Sequence, residues 1–573
     1  MAKAKQNKPQ TPCSSALLKW EAAGKKLATA LSAYLQSCVF LDTFCAAPSQ
    51  DAKTVASRVD IALNALHPNL FEELSQSQVS LARMRNRVSS PFYSLPGDVL
   101  AEIFKDAVYI PTPDDKPFPP MADGLTRIFS RLHNLLAVCS TWRNTAVELS
   151  DLWSVIPVAH ELSTRPTPRS ASLTLERSRA LTSDRCRLHL AAVLPDRFYG
   201  HIAPFAEGKI PQFTSINIEA RFRSPTPYIS DLLDNLLESQ SPAVMSELSI
   251  HHYEDPLEDS PPRPPKTNEY LDFTMPTEKK LISSLSAFRL RRINVHWNTI
   301  TLSDKLVEIH LQSVMLGSNA KLVEFLHALE PASELRDLRL VSVVAFAGRA
   351  TPIDSNAAPR KISLPKLQSL LLDDLAFNVL QTVLTSIAPG THKLKVHPTS
   401  KSHYNLSGEE ESDSDDDFFQ SPNLMSLLNR FNIDTLLLSP GDDYNGEDGS
   451  PWVDREELSR KLRLLPNLKT LIMYSWKWDL GAILALDRTF SRSIPVLSGL
   501  YIFGGYICDA ELLPKVVASH SLQTLVLDSH PTCTVDVNRE LLLRSLKAMV
   551  PDFRLVRGLE GMDEFNYYSW RLW

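Results

Sequence analysis

The amino-acid sequence predicts an α+β fold in which a helical N-terminal region is followed by an irregular α/β solenoid. Two observations lead to this fold class. Up to about residue 156 the apolar residues recur at the spacing of amphipathic helices, whereas from about residue 170 short strand-like runs alternate with helical stretches. The chain has 573 residues, which is too long for one ordinary core. Because a single strand–helix unit cannot bury its own apolar face, we expect the alternating part to fold as one body.

Composition and charge restrict the classes of function. The net charge of −6 gives no general attraction for nucleic acid, whose binding needs a basic surface. No apolar run approaches the roughly 18 residues that a membrane span needs, and the polar stretch MAKAKQNKPQTP at the N-terminus is not a secretory signal. Seven cysteines without a C-x-x-C pair favour reduced thiols. We therefore expect a soluble protein of the cytoplasm, the nucleus or both.

The first 90 residues predict helices. Residues 1–13 are polar and are expected to be disordered. Apolar residues at helical spacing then recur as far as Val88, so we expect a helical lead-in over residues 14–90. Pro48 and Pro68 interrupt the pattern, which favours short helices packed on one another or on the next module. A long coiled coil is the alternative.

Two further amphipathic patterns follow the lead-in. Pro96 suits the first turn of a helix, where its missing N–H costs nothing. Leu100, Ile103 and Phe104 then share one helix face. The second pattern ends at Trp153, and it carries a stripe of leucines that continues through a cysteine and a tryptophan. Each pattern predicts a helix with one buried face.

From about residue 170 the strand-like runs recur in the order of the chain. Their last three apolar positions alternate, which suits a short strand with one buried face. The runs are FTSINI, MSELSI, LRRINV, LVEIHL, LRDLRL, LQSLLL, IDTLLL, LKTLIM, LSGLYI and LQTLVL. From residue 306 onward they begin about 29, 32, 66, 35, 29 and 25 residues apart, with amphipathic stretches between them. This period predicts a solenoid over residues 171–573, after a linker at residues 157–170.

The solenoid is expected to be irregular. A regular leucine-rich repeat places Asn or Cys three positions after the last apolar residue of each run. Those positions here hold Val343, Leu375, Gly441, Trp476, Gly505 and His530. Without an asparagine ladder we expect units of unequal length, and an ordinary doubly wound α/β domain is the alternative. The acidic run NLSGEEESDSDDD predicts a disordered insertion at about residues 400–418.

The segment 91–156 resembles the F-box in the form common in mushroom-forming fungi. The matching stretches are Leu95-Pro96, VLAEIF, LLAVCSTWRNTA and Leu152-Trp153. An irregular leucine-rich half after this segment is typical of the same group. In that family the helices bind a Skp-type adaptor, which connects the protein to cullin and RING subunits. The resemblance implies adaptor contacts at Leu95, Pro96, Leu100, Ile103, Phe104, Leu135, Val138, Cys139 and Trp142.

The resemblance implies a substrate-recognition adaptor of a Skp–cullin–RING ubiquitin ligase. The solenoid would bind an unidentified client protein and raise the concentration of its lysines near a ubiquitin-loaded conjugating enzyme. On this hypothesis the chain is not an enzyme, needs no cofactor and is a monomer outside the complex. One alternative is an F-box scaffold that acts without cullin, and another is an enzyme with a site formed by solenoid loops. The alternative for several of these nine residues is that they belong to the internal core. This alternative applies above all to Cys139 and Trp142.

One feature departs from the family pattern. The connection between the two helices, at residues 109–124, is about fifteen residues longer than in a compact F-box. A surface loop of this size costs little closure entropy, so the module can survive the insertion. The loop would weaken adaptor binding if it projected into that interface.

Other candidate sites in the sequence are weaker. HHYED combines two histidines with two carboxylates, but neighbouring strand residues point to opposite faces, so we expect a solvated loop rather than a metal site. GDDYNGEDG lacks the ligand spacing of an EF-hand. The phosphate-loop, G-x-S-x-G and H-E-x-x-H motifs do not occur. Catalysis is therefore not indicated.

Two further predictions concern the acidic insertion and the aromatic C-terminus. Ser407, Ser412 and Ser414 each precede an acidic residue by three places, which is the pattern read by an acidophilic kinase of the casein type. An unmodified acidic segment is the alternative. The aromatic C-terminus EFNYYSWRLW is expected to cap the last solenoid unit, with peptide binding as its alternative.

Overall fold

The computed structural model divides into two compact units, Met1–Leu100 and Ala101–Trp573. It describes residues 12–44, 52–89, 91–110, 120–159, 174, 187–194, 212–221, 225–239, 241–253, 270–347, 361–406, 424–439, 455–474, 477–478, 480–504, 506–507, 512–528, 532–533 and 539–556.

The first unit is helical, as predicted. Its helices are α1 Pro12–Phe44, α2 Ala52–Ile61 and α3 His67–Ser89, with a π-helical turn at Ala62–Leu66 and a 3₁₀ turn at Pro91–Ser94. No residue of α2, the π-helical turn or α3 is buried.

The sequence predicted that Pro68 would interrupt the helical pattern, but the chain stays helical through this proline. The chain is helical from Ala52 to Ser89, and the π-helical turn lies directly before His67 and Pro68. There the N–H of His67 donates to the carbonyl of Ala62, five residues earlier. This wider turn accommodates the proline ring, which would otherwise clash with a carbonyl of the preceding turn.

The helices of the second unit alternate with its strands, and α4 begins in the last residues of the first unit. They are α4 Gly97–Tyr109, α5 Met121–Val138, α6 Ser140–Glu148, α7 Thr226–Ser239, α8 Pro276–Ile282, α9 Asn319–Ala328, α10 Phe377–Ser386, α11 Leu424–Leu428, α12 Arg455–Arg463, α13 Leu480–Leu486, α14 Leu513–Ser519 and α15 Arg539–Met549. Helix α5 begins inside the stretch 109–124 that was expected to be a loop, because its first residues, Met121 and Ala122, are buried.

Within the described residues, the strands of the second unit form one large parallel sheet and three small ones. They are β1 Val155–Ala159, β2 Leu188–Leu194, β3 Phe213–Ala220, β4 Glu247–His252, β5 Tyr270–Leu271, β6 Ala287–Arg291, β7 Asn294–Val295, β8 Glu308–Gln312, β9 Met315–Ser318, β10 Asp337–Val341, β11 Val344–Phe346, β12 Ser369–Asp373, β13 Lys393–His397, β14 Ile433–Leu438, β15 Thr470–Tyr474, β16 Lys477–Trp478, β17 Gly499–Phe503, β18 Tyr506–Ile507, β19 Thr524–Asp528, β20 Thr532–Cys533 and β21 Asp552–Val556.

The strand order of the large sheet follows the chain. Its 14 strands run β1-β2-β3-β4-β6-β8-β10-β12-β13-β14-β15-β17-β19-β21, and every pair is parallel. A doubly wound domain reverses its strand order at a switch point, and these strands show no reversal. The predicted solenoid-like α/β architecture is therefore confirmed.

The core lies between this sheet and helices α7 to α15. In β10, for example, Leu338 and Leu340 are fully buried in the core, and Asp337 and Arg339 point to the opposite side. We call that opposite side the outer face. Val343 and Leu375 occupy positions where a regular repeat would have Asn, and both are buried in the core.

A ladder of left-handed residues replaces the missing asparagine ladder. Arg292, Ser313, Ser342 and Asp374 directly follow strands β6, β8, β10 and β12, and all have φ between 48° and 53°. Each N–H group donates to the last carbonyl of the next strand, at N–O distances of 2.8–3.0 Å. We call these four residues the corner ladder. It turns the chain out of the sheet in the same way at four successive strands.

Two predicted boundaries are wrong. The sheet begins at Val155, so residues 157–159 belong to β1 rather than to a linker. The start of the expected disordered insertion is ordered, because Ser400–His403 form a 3₁₀ helix in which buried Ser402 donates its hydroxyl to the carbonyl of Leu375 at 2.8 Å. The rest of the acidic run and the aromatic C-terminus lie outside the described residues.

Candidate functional site

The nine residues selected by the F-box resemblance differ widely in exposure. Pro96 and Val138 are exposed, Phe104 and Leu135 are buried, and Leu95, Leu100, Ile103, Cys139 and Trp142 are half-buried. Val138 exposes 58% of its surface, whereas Phe104 exposes none. Leu95, Pro96 and Leu100 belong to the first unit, and the other six belong to the second.

Cys139 and Trp142 both make contacts within the chain, and both are half-buried. The Cys139 sulfur accepts the N–H of Trp142 at 3.4 Å and so caps the N-terminus of α6. The indole of Trp142 packs against Phe104, with ring centroids 5.0 Å apart. Arg143, the last residue of the V-C-x-x-W-R motif, donates to the carbonyl of Leu136 at 3.0 Å. The motif therefore fixes the corner between α5 and α6.

The second half of α4 is tied to the 3₁₀ turn Ser150–Trp153. Lys105 pairs with Asp151 at 2.7 Å, and the hydrogen bond to Asp151 raises the pKa of Lys105. The Tyr109 hydroxyl donates to the carbonyls of Asp151 and Leu152, each at 3.2 Å. The indole of Trp153 donates to the carbonyl of Ala146 at 2.9 Å. The terminal Leu-Trp of the motif is thus buried structure, not surface.

Helix α5 is anchored to the sheet by a buried glutamate. The N–H of Met121, the first residue of α5, donates to Oε2 of Glu219 at 2.7 Å. Glu219 lies in β3, its side chain is fully buried, and Oε1 accepts from Nε of Arg221 at 2.7 Å. A carboxylate is favourable at a helix N-terminus. Because Glu219 lies on the outer face and α5 also contacts β2, helix α5 covers the start of that face.

Sequence reasoning missed Glu219. The signal was a single charged residue inside the apolar run FTSINIEA, followed closely by Arg221. Beside it in the register of β4 lies His251, whose Nδ1 is 4.0 Å from Glu219 Oε2. Burial, together with the charge of Arg291, lowers the pKa of His251 to about 2, so this imidazole is neutral near pH 7.

The outer face carries a charged surface along β4, β6, β8 and β10. We define it by the residues Glu247, Arg289, Glu308, Asp337 and Arg339. Arg289 binds Glu308 through two nitrogens, at 2.6 and 2.8 Å, and Glu247 at 3.2 Å. Burial opposes ionisation of Glu308, but the hydrogen bond and charge of Arg289 outweigh it and lower the pKa of Glu308. Arg339 pairs with Asp337 at 2.6 Å.

Further along the chain the outer face becomes apolar. A second cluster of buried apolar side chains, separate from the main core, runs from β10 to β19. We call it the apolar surface cluster, and it consists of Val341, Leu371, Leu437, Ile472, Phe503 and Val526. The charged surface and this cluster meet at β10, which contributes Asp337 and Arg339 to the first and Val341 to the second.

The remaining candidates from the sequence give little. His251 and His252 are buried in β4 and not in a solvated loop, because β4 stays paired with β3 as far as His252. Within the described part of the chain, no group of three or more His, Cys, Asp or Glu side chains could hold a metal ion.

The predicted phosphorylation sites Ser407, Ser412 and Ser414 lie outside the described residues. Of the helices whose placement is described, none is both long and apolar enough to cross a membrane.

Comparisons with known proteins add structural similarity only. A scan against protein-family models gave no match, and a search of curated proteins gave none either. Among solved structures, a crystal structure of a TLR13–ssRNA13 complex matches 61% of this chain at 14% sequence identity, with a TM-score of 0.32. The matched part spans 47% of that chain, about half its length.

Proposed function

We propose that this protein is a non-catalytic adaptor whose F-box-like segment binds a Skp-type adaptor and whose solenoid binds a client protein. The observation that carries the proposal is the exposure of Val138. Within V-C-x-x-W-R the cysteine, tryptophan and arginine are used to fix the helix corner, whereas the valine side chain is left 58% exposed. An apolar side chain held in place by a rigid corner is suited to a protein contact.

The charged surface supports the second half of the proposal. Its ion pairs hold Arg289 between two carboxylates, so the charges are already in place before a partner arrives. Alternating positive and negative groups select a partner with the complementary pattern, and they contribute to specificity more than to affinity. The client would be a protein segment with both acidic and basic residues. The Skp-type adaptor would bring cullin and RING subunits, and ubiquitin transfer would be accelerated by proximity.

Adaptor binding is tested on the full chain by co-purification with a fungal Skp-type adaptor and by measurement of Kd. The Val138→Asp variant places a charge in the proposed contact, and we expect it to weaken binding at least about tenfold, which is about 1.4 kcal/mol. Val496→Asp is the matched control, because Val496 is 45% exposed and lies far along the same unit.

Three outcomes are decisive. Equal binding by both variants and the unchanged chain would remove Val138 from the contact. No binding by the unchanged chain would contradict the adaptor role. If the adaptor binds but cullin and RING subunits do not join the complex, the protein is a scaffold that acts without cullin.

A further inference from the structure

Three polar side chains at the ends of neighbouring strands form a hydrogen-bonded chain. Asp373 is the last residue of β12, His397 is the last residue of β13, and Ser439 directly follows β14. Oδ1 of Asp373 lies 2.7 Å from Nδ1 of His397. Nε2 of His397 lies 2.8 Å from Oγ of Ser439. A serine, an imidazole and a buried carboxylate in this order have the geometry of an activated nucleophile, which is recognised by distances and not by sequence order.

The fold fixes the positions of these residues. Asp373 and His397 are direct partners in the register of β12 and β13. The pairing of β13 with β14 shifts by one residue after Leu394, and such irregularities redirect the side chains beyond them. Val396 and Leu438 point into the core, so His397 and Ser439 both lie on the outer face.

A second carboxylate supports the arrangement from the side. Asp374, a corner-ladder residue, donates its N–H to the carbonyl of His397 at 3.0 Å. Its carboxylate accepts from Ser342 and Thr399, each at 2.7 Å, and from Lys401 at 2.6 Å. These contacts hold the ends of three strands and the segment after His397 in one geometry. Preorganisation of this kind is what a catalytic group requires.

The proposed role requires one arrangement of protons. With Asp373 ionised, its carboxylate only accepts, so that Nδ1 of His397 carries the hydrogen and Nε2 accepts the hydroxyl of Ser439. Asp373 is 1% exposed. Burial raises the pKa of Asp373, and the charge and hydrogen bond of His397 oppose that rise. Imidazole and carboxylate thus stabilise each other's charged forms when a proton reaches Nε2.

We propose that Ser439 is a nucleophile that cleaves carboxylic esters, with His397 as general base and Asp373 as the residue that orients it. The Ser439 oxygen attacks the ester carbonyl carbon, and its proton passes to Nε2 of His397. The carbon–oxygen bond to the alcohol breaks, and Nε2 returns the proton to the departing oxygen. Water then hydrolyses the acyl-serine by the same route, releasing the acid and restoring the hydroxyl.

The side chains beneath the site are apolar. Leu371 and Leu437 precede Asp373 and Ser439 by two residues on the same face, and both are buried, at 2% and 1% exposure, so they support the site from below. Ser439 is half-buried and the His397 side chain is 13% exposed, so a small ester reaches both from the outer face. This activity is independent of the proposed adaptor function.

The nucleophile is tested on the full chain with a fluorophosphonate reagent, followed by intact-mass measurement and peptide mapping. We expect one adduct, on Ser439, and none in Ser439→Ala. His397→Ala and Asp373→Asn should each slow the labelling by about 100-fold or more, since they remove the base or its orientation. Ser498→Ala is the matched control, because the Ser498 hydroxyl donates to the carbonyl of Lys469 and contacts neither His397 nor the carboxylates beside it.

Hydrolysis of p-nitrophenyl acetate is the second readout, and Ser439→Ala should abolish it. Absence of labelling at Ser439 in the unchanged chain overturns the proposal. Equal labelling rates in the unchanged chain and in two folded variants, His397→Ala and Asp373→Asn, overturn it as well. The thermal midpoint of each variant shows whether it is folded, and the conservative Asp373→Asn keeps the test valid if His397→Ala unfolds.

Discussion

At the scale of single residues, the outer face holds a histidine that is neutral when folded. His251 is 5% exposed, and burial with the charge of Arg291 lowers its pKa from the ordinary 6.5 to about 2. At pH values between about 2 and 6.5, the imidazole of His251 is protonated in the unfolded chain but not in the folded chain. Stability therefore rises with pH in this window and is lost as the pH falls below about 6.5.

We predict that His251→Gln reduces the acid sensitivity of the fold. One buried neutral histidine contributes up to about 1.4 kcal/mol of lost stability per pH unit below 6.5. The thermal midpoint of the variant should therefore fall less between pH 7 and pH 5 than that of the unchanged chain. His133→Gln, a change at an exposed histidine, is the control. Identical pH profiles for the unchanged chain and His251→Gln would contradict the prediction.

At the scale of single elements, the corner ladder is the feature that the sequence pattern concealed. A regular repeat uses an asparagine side chain to bind backbone at the turn. Here each turn contains one residue with positive φ whose N–H binds the next strand, and none of the four is glycine. A left-handed conformation costs a residue with a side chain about 1 kcal/mol or more. The hydrogen bond to the next strand offsets part of that cost at each corner.

Ser313 offers a test of this backbone conformation. Its φ is 51°, so Ser313→Val should destabilise the protein by about 1–2 kcal/mol, because a β-branched residue disfavours this region strongly. Ser313→Gly should be neutral or stabilising. Ser369→Val is the control, since Ser369 lies inside β12, where valine is favoured. The thermal midpoints of the three variants give the comparison, and a similar loss for both valine variants would contradict it.

Sequence periodicity predicted the elements well because periodicity is local. The strand runs and the helices between them were identified from alternation and helical spacing. Strand β1 was missed because Pro157 argues against a strand, yet β1 is the edge strand of the described sheet, where a missing N–H is tolerated. Glu219 and the Asp373–His397–Ser439 chain were missed because their contacts depend on the register between distant strands, which no local pattern contains.

At the scale of the whole second unit, helix α5 and the sheet form one structure. Both faces of β2 and β3 are buried almost throughout, in contrast to the half-exposed outer faces of β8 and β10. Strand β4 is likewise buried along most of its length, so the more exposed part of the outer face begins beyond it. Helix α5 therefore buries its apolar side against the strands behind it.

We predict that Glu219→Gln loosens the start of α5. A hydrogen bond to a charged group contributes about 1.5–3 kcal/mol to the free energy of unfolding. The substitution also removes the negative charge with which Arg221 pairs at 2.7 Å. The thermal midpoint should fall, and amide hydrogen exchange should accelerate in the first turns of α5. Glu540→Gln, in an exposed pair with Arg544, should change neither quantity. Unchanged exchange in α5 of Glu219→Gln would show that the anchor is not needed.

The same anchor has a consequence for the timing of synthesis. Glu219 follows Met121 by 98 residues. At about 5–20 residues per second, a ribosome adds Met121 about 5–20 s before it adds the carboxylate that holds it. Throughout that interval the apolar side of α5 lacks Glu219 and a complete β3, and β2 is added only in the second half of it. A nascent chain therefore presents a binding surface that the finished protein hides, and a chaperone or partner acting during translation would meet a different molecule.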